Sequence, residues 1–187
     1  MAAGMQEFAT HGFERARLDR IAKAAGISKG TIYLYYPSKE ALFLAAVEEN
    51  VIRVMAEGEM RLQGATGPTE ELLVQLLESI YERMVEGQAK TLLRILIAEA
   101  DRMPHLVETY HDMALQRGMQ LLKGILLRGV ARGEVAESPI LDNPQVLIAP
   151  AIFLALHGNL FGKLSSIDPK SHFAAHVEMM LHGVLKR

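Results

Sequence analysis

Leu18-Asp19-Arg20-Ile21-Ala22-Lys23-Ala24-Ala25-Gly26-Ile27-Ser28-Lys29-Gly30-Thr31-Ile32-Tyr33-Leu34-Tyr35 is the stretch whose reading decides the fold. Apolar residues recur at helical spacing on both sides of Gly26, and glycine is the residue that best ends a helix in the left-handed conformation. The spacing predicts a helix from about Leu18 to Ala25, a three-residue turn, and a short helix capped by Ser28 that reaches about Tyr35. Two short helices joined in this way form a helix-turn-helix. Ala22 is small where the pair must cross closely, and Ile21, Ala25, Ile27 and Ile32 are expected to supply the buried contacts.

Upstream, Met5, Phe8 and Ala9 share one face of a helix that reaches about His11 and closes at Gly12. Downstream, Ser38 can cap a long helix to about Gln63, and Gly64 to Pro68 reads as a linker. Five more helices are expected near 69–87, 89–102, 104–132, 144–163 and 169–185. Pro104, Pro144 and Pro169 suit first helical turns, and Asn143 and Asp168 are ready caps. No segment alternates with period two, so the chain reads as all-α with about nine helices. A three-helix head over 1–45 is expected to precede a larger helical domain over 46–187.

Composition narrows the chemistry. Half of the 187 residues are apolar, enough for a substantial core, and no apolar run is long enough to span a bilayer. No secretory leader opens the sequence, so a cytoplasmic location is the default expectation. There is no cysteine, which removes disulfides, thiolate zinc sites and cysteine nucleophiles. The net charge of −2 hides a division: residues 1–39 carry six basic and three acidic side chains, a balance of +3, and the remainder carries −5. A basic head on an acidic body suits a nucleic-acid reader with a separate regulatory core.

Phe8-Ala9-Thr10-His11-Gly12-Phe13, Ile21 through Tyr33, and Tyr36-Pro37-Ser38-Lys39-Glu40-Ala41-Leu42 together resemble the DNA-binding signature of the TetR family of bacterial transcription regulators. The resemblance implies that the third helix enters the major groove. Lys29 would then donate to guanine and the Thr31 methyl would meet a thymine methyl, while Gly30 lets the backbone approach the duplex. It assigns Tyr33 and Lys39 to phosphate, with Leu34 and Tyr35 lining the groove or packing beneath it. Ser28 belongs to the same set as the helix cap. Ala16-Arg17 departs from the usual hydroxyl pair before the second helix, and Arg17 becomes a substitute phosphate contact. The family usually begins several residues earlier, with a basic arm leading into the first helix, whereas this sequence starts inside that helix, which points either to a trimmed or mis-assigned start or to one missing set of phosphate contacts.

The resemblance further implies a body that binds a small, largely apolar effector and dimerises through its last two helices. Leu106, Tyr110, Met113, Arg117 and Leu121 form one helical stripe in which Arg117 is either an anion anchor or one half of an internal salt bridge. Met55, Tyr81, Met84, Ile97 and Phe153 are expected to line the same cavity or to be plain core. Ile148, Ile152, Ala155 and Asn159 are expected to face Phe173, Val177, Met180 and Val184 across a four-helix dimer seam. Two-fold symmetry then sets the reading helices about 34 Å apart, on a palindromic double-stranded operator.

His172 and His176 have the i, i+4 spacing of a metal pair but no third ligand, so no metal or other cofactor is expected, and His157 stands alone on an apolar helix. Glu99, Asp101 and His105 are a weak basis for an enzyme, because they sit at a helix end with no partner evident in the sequence. The reading is therefore a non-enzymatic repressor released by its effector. The rival is a DNA-binding regulator with no small-molecule input, acting through a protein partner.

Overall fold

The computed structural model describes residues 2–85 and 87–185 and contains no β-strand among them. Ten α-helical segments follow in order: α1 (Ala2–Arg15), α2 (Leu18–Ala25), α3 (Lys29–Tyr35), α4 (Lys39–Gln63), α5 (Thr69–Val85), α6 (Gln88–Glu99), α7 (Pro104–Tyr110), α8 (Arg117–Ala131), α9 (Ala149–Leu160) and α10 (Pro169–Val184). A π-helical turn, His111–Gln116, joins α7 to α8 without a break in helical structure, so counted as one the helices number nine among the described residues, as expected. The helix expected over 69–87 ends at Val85, and residue 86 lies outside the described residues.

Local chemistry sets the boundaries. Gly12 (φ 74°) kinks α1, and Gly26 (φ 68°) closes α2 with its N–H donating to the carbonyls of Ala22 and Lys23. The Ser28 hydroxyl accepts the Thr31 N–H at 3.0 Å, and that of Ser38 accepts the Ala41 N–H at 3.0 Å. Asp168 caps α10 in the same way through the Ser171 N–H at 2.9 Å. The helix expected over 144–163 is divided: Pro144–Leu147 is a 3-10 turn, and α9 begins only at Ala149. Pro150 is the cause, since it has no N–H and its ring collides with the carbonyl four residues back.

By compactness the chain forms two units, Met1–Val54 with Thr91–Ala114, and Met55–Lys90 with Leu115–Arg187. In the first, Phe8 and Phe43 are fully buried and meet edge to face at 4.8 Å, with Phe13 at 5.4 Å from Phe43. Ile21, Ala22, Leu18 and Ile32 complete the core beneath the helix-turn-helix. Ala25 and Ile27 do not join it as expected; both lie exposed at the tip, where the turn has no layer above it. Arg94 donates to the Ala9 carbonyl at 3.2 Å, Arg102 pairs with Glu14, and His105 meets Glu40 at 2.9 Å. These ties bring parts of α6 and α7 into the unit, so it extends beyond the 1–45 head expected.

In the second unit α5 packs against α8, α9 and α10. Leu73, Leu77, Leu122, Leu126, Leu147 and Met180 are buried in its main cluster, each worth about 1.5–3 kcal/mol of transfer free energy. The start of α5 is clamped: Arg128 donates to Thr69 Oγ1 at 2.9 Å and to the Gly67 carbonyl at 2.7 Å, and Glu134 accepts the Thr69 N–H at 2.8 Å. Hydrogen bonds from Thr69 and Arg132 pull the Glu134 carboxyl down to about 2.

Candidate nucleic-acid interface

The α3 surface is built from side chains the fold does not use. Ile32 is its one buried residue, whereas Leu34 is 78% exposed, Tyr35 71% and Tyr33 47%. Three neighbouring large apolar side chains in water are costly unless something covers them. Lys29 lies one turn before Tyr33 with its ammonium 5.8 Å from the ring centroid, which leaves its remaining donors outward. The Thr31 hydroxyl is 2.8 Å from that of Ser28, so the cap consumes its polar end and leaves its methyl for another surface. A methyl group added at Gly30 would meet only Ser28 Oγ at 3.6 Å, an ordinary contact. Nothing inside the protein demands a glycine there.

Two basic residues assigned to phosphate have local partners. Arg17 is exposed and pairs with Asp19 at 3.1 Å, and this hydrogen bond holds the Asp19 carboxyl below its usual value. Lys39 is turned inward. Its ammonium donates to the Glu14 carbonyl at 2.8 Å and the Ala16 carbonyl at 3.4 Å, and sits 4.8 Å from the Phe13 ring centroid. The side chain stitches α4 to the α1–α2 loop, because carbonyls left unpaired at the end of α1 are the nearest acceptors.

The residues expected around an effector fall on both units. Ile97, Tyr110 and Met113 belong to the first, with Ile97 60% exposed. In the second, Met55 and Met84 are half-buried, and Arg117 pairs with Glu59 at 2.8 Å. Tyr81 is buried, and its phenol lies 2.9 Å from His172 Nδ1 and 3.0 Å from His176 Nδ1. Burial raises the Tyr81 phenol to about 12, and burial followed by the neighbouring His172 lowers His176. Phe153 is exposed and stacks on His172, so it and Tyr81 share one imidazole. The histidine spacing was visible in the sequence; the tyrosine that gathers the pair was not, because it lies 91 residues away from His172.

The expected dimer face is split. Ala155, Met180 and Val184 are buried within the unit's own core, and Phe173 and Val177 pack against it, so these five do not form a free face. The helices needed their most apolar stripe to meet α5, and a seam cannot use it twice. Ile152 and Asn159 are half-exposed, and Ile148, also half-exposed, packs in part against the unit's main cluster. The outward apolar residues are instead Phe153 and Leu160 on α9 and Met179 on α10.

Comparison with known proteins returns two family descriptions. Residues 1–46 match "Bacterial regulatory proteins, tetR family", and residues 64–161 match "Tetracyclin repressor-like, C-terminal domain". An uncharacterised HTH-type transcriptional regulator of Mycobacterium tuberculosis is 30% identical over 142 residues, 76% of this chain and 66% of that protein's own length. Among solved structures, the transcriptional regulator FadR of Bacillus subtilis, in complex with stearoyl-CoA, superposes with a TM-score of 0.79 at 18% identity, covering 97% of this chain and 96% of that one. A candidate regulator from Saccharomonospora viridis, in complex with choline, gives 0.83 at 19% identity over 100% and 95%.

Proposed function

Because the chain belongs to the TetR family of bacterial regulatory proteins, we propose that it is a transcription regulator that binds a palindromic DNA operator as a homodimer and is released by a small-molecule effector. The observation that carries this reading is the α3 surface, where exposed Tyr33, Leu34 and Tyr35 and an internally unneeded Gly30 make sense only against an outside partner. Lys29 reads a guanine edge, the Thr31 methyl meets thymine, and Tyr33 and Arg17 hold phosphates. Lys39 acts indirectly, by fixing the start of α4 against the loop before α2.

The dimer forms through the outward sides of α9 and α10, with Phe153, Leu160 and Met179 at its centre and Ile148, Ile152 and Asn159 beside them. Two similarly folded proteins carry stearoyl-CoA or choline, which supports a small ligand as the input here. Met55, Tyr81, Met84 and Arg117, all of the second unit, remain the residues assigned to it. The ligand releases DNA by favouring a dimer whose reading helices no longer match the groove spacing.

Selection from a random duplex library with the full chain tests the reading. The expected product is a palindrome or near-palindrome, and Lys29→Ala should cost about 1–3 kcal/mol and relax one base pair in each half-site. Failure to enrich any duplex, or an unchanged preference in Lys29→Ala, would overturn it.

A further inference from the structure

A cleft of about 590 Å³ opens in the second unit at the C-terminal end of α9, bounded by the end of α5, the start of α6 and the loop into α10. Its wall holds Lys90, Lys163, His157, Ser165 and Ser166 and, among the described residues, no carboxylate. Leu154, Ile167 and Val85 supply an apolar side. None of the residues assigned above to the effector lines it, whereas Asn159 and Leu160, at the edge of the proposed dimer seam, border it.

Part of the wall is held in place, while Lys163 and Ser166 are exposed at its rim. A Cβ at Gly158 would stand 3.2 Å from Lys90 Nζ, so the ammonium rests directly on the α9 backbone, where only a glycine leaves full room. The Asn159 amide reaches the Lys90 carbonyl at 3.5 Å, and His157 Nε2 and Ser165 Oγ, 3.2 Å apart, tie the loop to the helix. Neither lysine forms an ion pair among the described residues. The carbonyl end of α9 offsets only about half a charge, so the lining formed by the described residues keeps a positive balance.

We propose that this cleft binds a small organic phosphate. A phosphate monoester carries about −1.5 to −2 near neutral pH, which matches two ammoniums where a carboxylate would neutralise one. Lys90 and Lys163 meet the phosphate oxygens, the serine hydroxyls donate to them, and the organic part lies against Leu154 and Ile167.

Titration calorimetry of the full chain with phenyl phosphate, benzoate and phenol tests this without DNA, so the result stands apart from the operator reading. Phenyl phosphate should saturate one site per chain and bind about tenfold tighter than benzoate, with no heat from phenol. Lys90→Ala and Lys163→Ala should each weaken it about tenfold, the loss of one charge-assisted hydrogen bond. Gly158→Ala should weaken it too, by displacing the Lys90 ammonium, while circular dichroism stays unchanged. Equal binding of benzoate, a non-saturating isotherm, or undiminished affinity in Lys90→Ala/Lys163→Ala would overturn the assignment.

Discussion

The Tyr81 hydroxyl has one proton and two imidazole neighbours, so it can donate to only one of them. At least one ring must therefore carry its own proton on Nδ1 and donate to the phenol oxygen. His176 is the buried member, and its burial, reinforced by His172, keeps its folded pKa below the ordinary 6.5. The unfolded chain then binds more protons as the medium acidifies, so this contribution to stability is intact above about 6.5 and is lost as pH falls toward the folded value. Thermal melts from pH 7 to pH 5 should show a steeper decline in the parent than in His176→Asn. Parallel declines would assign the acid sensitivity to another group. Lys39 and Arg117 mark the limit of what single residues disclose. A lysine at a helix start reads as a phosphate ligand whether it faces water or the carbonyls of a neighbouring loop, and only the fold brings Glu14 and Ala16 to it. Arg117 on a helical stripe is equally silent about Glu59, 58 residues away.

Helices whose ends are written in local chemistry match the sequence expectation closely. Gly26, Ser28, Ser38 and Asp168 act within three or four residues of themselves, and α2 and α10 begin and end within a residue or so of the expected positions. Pro150 and the π-turn at 111–116 are different. Pro150 sits inside an apolar run, and a π-turn leaves no residue signature, because it adds one residue to a turn without changing the apolar pattern on either side. Gly26 gives the element-scale prediction. A methyl group there would touch nothing within 4 Å, so Gly26→Ala should act through φ alone. Its cost should be about 1–2 kcal/mol in chemical denaturation, and Gly26→Asn should lose less, since asparagine tolerates the left-handed region better. Equal losses for the two substitutions would mean that something other than backbone conformation limits this turn.

On the scale of the whole molecule, the proposed reading of a palindrome needs two copies, and the apolar residues left over after the core is built are the surface proposed for their meeting. Phe153 is 54% exposed and therefore adds little to its own unit. Phe153→Glu should leave the helix content intact and convert a dimer to a monomer in sedimentation velocity at micromolar concentration. A parent protein that is already monomeric there would remove the basis for a palindromic site. Which side of these helices packs into their own unit was only half legible in the sequence, because a two-sided apolar helix does not say which side faces home: Ala155 and Met180 are buried, and Phe153 and Met179 are exposed. That α3 keeps only Ile32 for the core has a consequence for descent. Substitutions at Lys29, Gly30, Tyr33, Leu34 and Tyr35 fall outside the core, where changes cost within about 0.5 kcal/mol, so if this surface reads DNA as proposed, a duplicated gene can drift toward a new operator without first becoming unstable. Recognition can diverge while the scaffold is inherited unchanged.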